Sequence, residues 1–184
     1  MDSPFIVQRD DGPKVYGIHQ VPELENNHRR NNCGGHLASI TNPEEYDMVV
    51  RLLQVTLGNR SSSRTTAKVQ RSDGLYLGAH RESGPNGEFI SGDGSQPFFV
   101  NWREGFPNDD IVLTTNNNNN HNGEDGGSGS GSGRIPRKRE VVIHLNDFLA
   151  TNEQDTQKRR AVVLLPLNYL EYDGCGSRYI LQGF

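Results

Sequence analysis

The sequence predicts an α+β fold with antiparallel pairing, and two patterns lead to that prediction. The first is a strongly patterned helix early in the chain, where apolar residues recur at positions 46, 49, 50 and 53 and so form one helix face. The second is a series of short strand-like runs later in the chain, with turn residues between them. Few helices early and many short strands late are typical of α+β proteins.

The first elements are an opening strand and two helices. Residues 14–20 alternate apolar and polar side chains, which indicates a strand. Pro22 favours the start of a first helix, because proline fits the first helical position, although the stretch after it offers almost no apolar face. The second helix is better specified, since Thr41 and Glu44 have capping-box spacing and Pro43 lies near its first turn.

Strands and turns follow the second helix. Residues 57–71 are polar and rich in serine and threonine, which indicates a loop. The stretches 83–87 and 93–95 supply turn chemistry through glycine, proline, asparagine and aspartate. Further strands are predicted at 75–79, 89–90, 140–145, 161–165 and 178–181.

The composition predicts one folded domain with a polar insert. We expect an N-terminal extension over residues 1–13 and the domain over 14–184, a length that suits a single core. An asparagine run and alternating glycine and serine cannot bury apolar surface, which predicts a disordered insert at about 114–136. The basic cluster Arg134–Arg139 is interpreted as a solvated flank of this insert, in preference to a nuclear-localisation or anion-binding segment.

Charge and hydropathy disfavour several kinds of partner. A net charge of -4 favours neither nucleic acid nor acidic lipid, and the sequence has no apolar run long enough to span a membrane. The first residues lack the basic start and apolar stretch of a signal peptide. We therefore expect a cytosolic chain, a mature chain or a fragment of a longer precursor. The sequence also lacks zinc-ligand spacing, a nucleophile elbow and a nucleotide-binding loop.

Four segments of the sequence resemble C-type lectin-like domains. The first is Cys33–Thr41, a turn and short strand that lead into the capped helix. The others are Tyr76–Gly78, Asn101–Asn108 and Ser177–Phe184. The resemblance implies a C-type lectin-like fold, with two helices flanking antiparallel sheets, paired chain termini and a long loop region that carries calcium and ligand. It covers roughly residues 14–113 and 140–184.

The resemblance also assigns roles to single residues. Of the cysteines that form the family's disulfides, Cys175 alone is present, and Cys33 lies away from the expected position. We therefore expect both cysteines to be free thiols. Trp102 corresponds to an aromatic residue that anchors the loop in the core, in preference to one that stacks on a ligand. His36 resembles a structural residue of the family and is interpreted as a core or turn histidine.

The long loop holds the candidate binding site. Sugar-binding members carry Glu-Pro-Asn or Gln-Pro-Asp there, with a cis proline and two side-chain carbonyls that hold calcium and sugar. This sequence has Phe106-Pro107-Asn108, and a phenylalanine side chain cannot ligate calcium. The family's Trp-Asn-Asp motif aligns with Glu171-Tyr172-Asp173, so Asn108 and Asp173 are the candidate calcium ligands. The candidate ligand-binding residues are Phe106, Pro107, Asn108, Asp109, Asp110, Glu153 and Asp173. The residues interpreted either as replacement calcium ligands or as solvated loop residues are Asp109, Asp110, Asn152 and Glu153.

Three functions are compatible with these observations. We favour a non-enzymatic binding module that uses its long-loop face to recognise a protein partner, or to join a larger assembly, and that needs no cofactor. The alternative is a calcium-dependent lectin that binds a glycan. An enzyme on a related scaffold, such as that of the formylglycine-generating proteins, is least favoured because that class needs reactive cysteines or a metal. The resemblance implies an extracellular location, but the missing signal peptide and the few cysteines oppose it. The oligomeric state stays open.

Overall fold

A computed structural model describes residues 5–24, 35–57, 74–81, 88–108, 139–154, 157–168 and 179–181. Within these ranges the chain forms one helix and one nine-stranded sheet. The helix, α1, spans Pro43–Leu57. The strands are β1 Ile6–Arg9, β2 Gly12–Glu23, β3 His36–Leu37, β4 Gly74–Arg81, β5 Phe89–Ser91, β6 Arg139–His144, β7 Ala150–Gln154, β8 Arg159–Pro166 and β9 Tyr179–Ile180.

The sheet is largely antiparallel, which confirms the predicted α+β class. Its main order is β1-β2-β8-β4-β6-β7, while β3 pairs with β8, β5 with β4 and β9 with β2. The exception to antiparallel pairing among the described strands is a parallel contact of β4 with β8, where Tyr76 faces Ala161. The apolar residues of the central strands and the buried face of α1 belong to one hydrophobic core. In the part of the chain that is described, α1 is too short to cross a membrane.

Strand β2 is longer than the opening strand that the alternation predicts. It runs to Glu23, which pairs with Arg159 of β8 after a bulge. The helix predicted to begin at Pro22 is therefore wrong over these first residues, because pairing with β8 overrides the local preference of proline. Residues 25–34, where the rest of that helix was expected, lie outside the described residues, so the prediction of two helices is not settled.

The sheet also takes in residues that the domain prediction assigns to an N-terminal extension. Strand β1 pairs with β2 from Ile6 opposite Val15 to Arg9 opposite Gly12. Gly12 has a φ of 113°, a conformation that favours glycine in this tight connection. The sheet thus begins before residue 14, while the division into an extension, a domain and an insert at about 114–136 stays a prediction. The insert lies outside the described residues.

Helix α1 begins as predicted, but its cap lies one residue later than the spacing of Thr41 and Glu44 suggests. The Asn42 Oδ1 accepts the amide N–H of Glu45 at 2.9 Å, and the Glu45 Oε2 accepts the amide N–H of Thr41 at 2.9 Å. Pro43 accounts for the difference, because proline occupies the first helical position and makes the residue before it the cap. The buried residues of the helix are Glu45, Tyr46, Val49, Leu52 and Leu53, while Val50 is partly exposed.

Glu45 also joins the helix to the first hairpin. The guanidinium of Arg9 donates to both oxygens of Glu45, at 2.6 and 2.9 Å. The Tyr16 hydroxyl donates to the carbonyl of Ser39 at 2.8 Å, and its burial raises the pKa of this hydroxyl above its usual value. Burial alone would raise the pKa of Glu45, but the hydrogen bonds from Arg9 and Thr41 outweigh it and hold the pKa below the ordinary 4.5.

Four chain segments meet at Gly78. The Gly78 amide donates to the carbonyl of Ala38 at 2.8 Å, and the Gly92 amide donates to the carbonyl of Gly78 at 2.6 Å. The Ala38 amide in turn donates to the carbonyl of Val162 at 2.9 Å. A Cβ atom on Gly78 would overlap the backbone carbonyl of Leu37, so the close crossing of β4 with the chain after β3 requires a glycine.

Replacing Gly78 tests the importance of this crossing. We expect Gly78→Ala to lower the free energy of unfolding by about 3 kcal/mol, because the added methyl group meets rigid backbone and forces it to shift. The matched control is Gly92→Ala, whose Cβ would lie 3.5 Å from its nearest neighbour and should change stability by no more than about 0.5 kcal/mol. Urea unfolding of the two variants measures the difference, and equal losses would contradict the prediction.

The Glu45 interaction should make stability depend on acidity. Since the folded-state pKa of Glu45 lies below 4.5, its ionised form stabilises the fold fully above the unfolded-state pKa, and this contribution is lost as the pH falls through the folded-state pKa. We expect Glu45→Gln to lower the melting temperature at about pH 7 and to approach wild type at about pH 3. The control is Glu44→Gln, an exposed neighbour that should follow wild type throughout. A constant difference between Glu45→Gln and wild type would contradict the prediction.

Candidate functional site

The candidate site is built on the outer edge of β7, the last strand in the main order of the sheet. Residues 101–108, here called the loop segment, lie along this edge. The Ala150 amide donates to the carbonyl of Asn101 at 2.8 Å, and the Arg103 amide donates to the carbonyl of Ala150 at 2.9 Å. Trp102 thereby forms a parallel bridge with Ala150. These bonds occupy backbone groups that an edge strand otherwise leaves unpaired.

The loop segment turns sharply before it reaches the predicted ligand triplet. The Phe106 amide donates to the carbonyl of Arg103 at 2.9 Å, and Gly105 has a φ of 80°, which favours glycine in this turn. The peptide bond between Phe106 and Pro107 is cis, as the resemblance implies for this proline. Both side chains are partly exposed, so the triplet presents apolar surface.

Asn152 of β7 holds the third residue of the triplet through both ends of its side-chain amide. Its Oδ1 accepts the backbone N–H of Asn108 at 2.7 Å, and its Nδ2 donates to the backbone carbonyl of Asn108 at 2.9 Å. Asn152 is 4% exposed. This pair of hydrogen bonds, here called the Asn152 clamp, satisfies buried polar groups of the strand and the loop at the same time.

The other face of β7 carries a charged cluster, in which Arg159 is almost fully buried and Glu153 is 28% exposed. Thr151 and Glu153 lie on that face, because side chains alternate along a strand. The Arg159 Nη2 donates to the Glu153 Oε2 at 2.5 Å, and the His144 Nε2 lies 3.3 Å from the Glu153 Oε1. Burial raises the pKa of Glu153, but the His144 hydrogen bond and the charge of Arg159 outweigh it, so the pKa lies below 4.5.

The structure brings four of the seven predicted site residues to this edge of the sheet. Phe106, Pro107 and Asn108 lie in the loop segment, and Glu153 lies in β7. The remaining three, Asp109, Asp110 and Asp173, lie outside the described residues. Asn108, one of the two predicted calcium ligands, is held here by Asn152. The ligand-binding role of all seven residues therefore remains a prediction.

The interpretation of Asn152 and Glu153 as solvated loop residues is wrong. Both belong to β7, and pairing with β6 places Asn152 opposite Val141 and Glu153 opposite Glu140. Polar residues hid this strand, because asparagine and glutamate are depleted in strands. The signal that could have revealed the strand is a period of two. Ala150 and Asn152 contact the loop segment on one side, and Thr151 and Glu153, which alternate with them, belong to the charged cluster on the other.

The described residues do not fit a calcium site. Calcium takes six to eight oxygen ligands, yet Phe106 offers no side-chain oxygen. Asn152 is bonded to the loop backbone, and the two carboxylate oxygens of Glu153 are bonded within the charged cluster. Across the described ranges, histidine, cysteine, aspartate and glutamate form no group of three or more that could hold a metal ion.

The roles predicted for Trp102 and His36 can also be compared with the structure. Trp102 packs against the core, with its ring centroid 5.0 Å from that of Phe89, which confirms its predicted anchoring role. His36 is exposed on β3 while Leu37 is buried, so its interpretation as a core or turn histidine is wrong, because strand alternation turns it outward. Cys33 and Cys175 lie outside the described residues, and their predicted free state stays untested.

Comparison with solved structures identifies the fold. CEL-IV is 17% identical, with a TM-score of 0.53 over 90% of this chain and 94% of that chain. Human lithostathine is 13% identical, with a TM-score of 0.53 over 90% of each chain. The cow C-type carbohydrate-recognition domain of CD23 is 18% identical, with a TM-score of 0.50 over 89% of this chain and 95% of that chain.

This chain therefore has the C-type lectin-like fold, as the resemblance predicts. About nine tenths of the chain takes part in each of these comparisons. No family model matches the sequence, and no curated protein sequence is significantly similar to it.

Removing the Asn152 side chain tests the clamp. We expect Asn152→Ala to lower the free energy of unfolding by about 2 kcal/mol, because the two hydrogen bonds from this buried side chain to the backbone of Asn108 are lost. The matched control is Asn101→Ala in the same loop segment, whose side chain is exposed and whose loss should cost less than about 0.5 kcal/mol. Denaturant unfolding of both variants measures the difference. A loss in Asn152→Ala no larger than in the control would show that the clamp does not hold the loop segment.

Proposed function

We propose that this protein is a non-enzymatic binding module whose long-loop face recognises a protein, as a separate partner or as a neighbouring subunit, without calcium. The Asn152 clamp carries this proposal. In a loop that depends on calcium, side-chain oxygens must be available to the ion. Here the Asn152 amide is closed on the backbone of Asn108, so the protein itself holds the loop segment in place.

The chemistry of the presented surface supports a protein ligand. Phe106 and Pro107 are partly exposed apolar side chains at the position of the sugar-binding triplet. Aromatic residues are enriched at the centres of protein interfaces, and a sheet edge closed by hydrogen bonds offers a rigid support for them. The apolar surface lies directly beside the polar groups of Asn108, which gives the mixed character expected of such a face.

The contacts within the charged cluster of β7 support a non-enzymatic role. Thr151, His144 and Glu153 lie close together, as the residues of a nucleophilic triad do. In such a triad, however, the acid holds one nitrogen of the histidine ring and the nucleophile bonds to the other. Here both Thr151 and Glu153 lie next to the Nε2 of His144, at 2.8 and 3.3 Å, and Arg159 neutralises the acid.

Calcium-dependent binding of a glycan is the second candidate. The fold favours it, since the cow CD23 domain of the same fold was solved in the presence of GlcNAc2Man3 oligosaccharide. Asn108 is retained from the sugar-binding triplet. This candidate requires the remaining oxygens to come from Asp109, Asp110 and Asp173, together with a rearrangement that frees Asn152 or Glu153.

A calcium titration separates the two candidates. We expect no binding heat by calorimetry, and melting temperatures with calcium and with chelator that agree within about 1 °C, because a ligand that does not bind the native state does not stabilise it. The variant Phe106→Glu restores the carboxylate of the triplet. It should remain insensitive to calcium, since Asn152 and Glu153 keep their partners. A clear rise in the wild-type melting temperature with calcium would favour the lectin candidate, and glycan binding should then be measured.

The protein-binding part of the proposal needs a separate experiment. The purified chain, held in chelator, serves as bait for cross-linking and affinity capture from cell extract and from extracellular fluid. We expect captured proteins that are lost with Phe106→Asp and kept with Asn101→Ala. Capture that survives Phe106→Asp, or that free sugars abolish, would contradict recognition of a protein through this face.

A further inference from the structure

Arg159 occupies a site that is built for a cation. It begins β8, and its side chain is 1% exposed. Its Nη2 donates to the Glu153 Oε2 at 2.5 Å and to the Gln157 Oε1 at 3.0 Å. The carbonyl of Gln157 accepts the hydroxyl of Tyr76 at 2.5 Å. A guanidinium this deeply buried needs a fixed set of acceptors, and Glu153 of β7 and Gln157 in the chain before β8 provide two of them.

A glycine provides the space for this guanidinium. A Cβ atom on Gly74 of β4 would lie 2.8 Å from the Nη1 of Arg159 and would overlap the side chain of Val142. Glycine at position 74 therefore leaves the space that the guanidinium of Arg159 occupies beside β4. Arginine suits the site better than lysine, because arginine keeps its charge in so buried a place, whereas the pKa of lysine shifts readily on burial.

The position of Glu153 links this cation to the loop. Glu153 and Asn152 are neighbours in β7 and face opposite sides of the sheet. The strand is therefore fixed on one side by Arg159 and bonded on the other side to Asn108. In the described part of the sheet, β6 is the one strand that pairs with β7. On its outer edge, where no strand pairs with it in the described part of the sheet, the end of β7 is contacted by the loop segment through the side chain of Asn152.

We propose that Arg159 is a positioning residue of the binding face, an internal cation whose pairing with Glu153 fixes β7 so that the Asn152 clamp forms without a bound ion. The inference deepens the proposed function and rests on it, since a face ordered from within the protein needs no calcium. A second consequence concerns the charge of Glu153. Because a guanidinium that is almost fully buried is costly unless it is paired, the carboxylate of Glu153 is in turn what keeps Arg159 beside the clamp.

Hydrogen exchange of the Asn108 amide, followed by NMR, measures the clamp directly. The variants are Arg159→Met, Glu153→Gln and the combination of the two, and the Ile18 amide in the centre of the sheet reports global opening. The control is Asp11→Asn, which removes an ion pair between Lys14 and an Asp11 side chain that is 66% exposed. Each sample is measured with chelator and with millimolar calcium.

The combined variant distinguishes positioning from general stability. Each single change should lower the protection of Asn108 about tenfold, as expected for the loss of a hydrogen bond. Removing both members of the pair leaves neither of them without its partner, so protection of Ile18 should return towards wild type while protection of Asn108 stays low. Asp11→Asn should change neither amide.

Three results would overturn the inference. In the first, Asn108 recovers together with Ile18 in the combined variant, which would mean that the pair acts only on overall stability. In the second, the single variants leave Asn108 protected, so that the clamp forms without Arg159. In the third, calcium raises the protection of Asn108 in the wild-type protein, which would contradict both this inference and the proposed function. The first two results affect this inference alone, so the two failures can be told apart.

Discussion

The close crossing at Gly78 is the constraint on which the rest of the structure depends. A row of backbone hydrogen bonds runs from Gly92 to Gly78, from Gly78 to Ala38 and from Ala38 to Val162. Four segments that are far apart in sequence are thereby held at backbone distance, with no side chain between them. Since β4 and β8 then lie next to each other, the strands that pair with them take their positions from this crossing.

Two arginine–glutamate pairs, each with a largely buried arginine, fix elements that the sheet alone does not place. Arg9 joins the first hairpin to Glu45 of the helix, and Arg159 joins β8 to Glu153 of β7. Removing charges from water offsets much of their attraction, so the pairs add less to net stability than their short distances suggest. Their main effect is on position, because a guanidinium donates to a carboxylate in few geometries.

The sequence predicts those elements whose signal is local. Helix α1 follows from its apolar spacing, and the central strands follow from continuous apolar runs such as 161–165. Strand β7 was not predicted, because its polar residues are stabilised by contacts with a segment more than forty positions away in the chain. Pro22 misled for the same reason, since the pairing of Glu23 with Arg159 outweighs its local preference.

The candidate site was predictable in part. The resemblance located Phe106, Pro107 and Asn108, and it indicated Asn152 and Glu153 as possible replacement ligands. It gave no indication that these two residues face opposite sides of a strand. The role of Arg159 was hidden as well, although a charged residue at the start of an apolar strand was visible in the sequence. Its partner is set by sheet register, which a single sequence does not contain.

The residues that flank the segment 109–138 are both bonded to strand β7, two residues apart. Asn108 is bonded to Asn152, and Arg139 pairs with Gln154 two residues further along β7. The entropy lost in closing a loop grows only with the logarithm of its length, about 0.6 kcal/mol for each doubling. Long and short segments can therefore be exchanged between these two anchors at little thermodynamic cost. The segment between Asn108 and Arg139 can therefore vary in sequence and length while the sheet that holds its two ends stays the same.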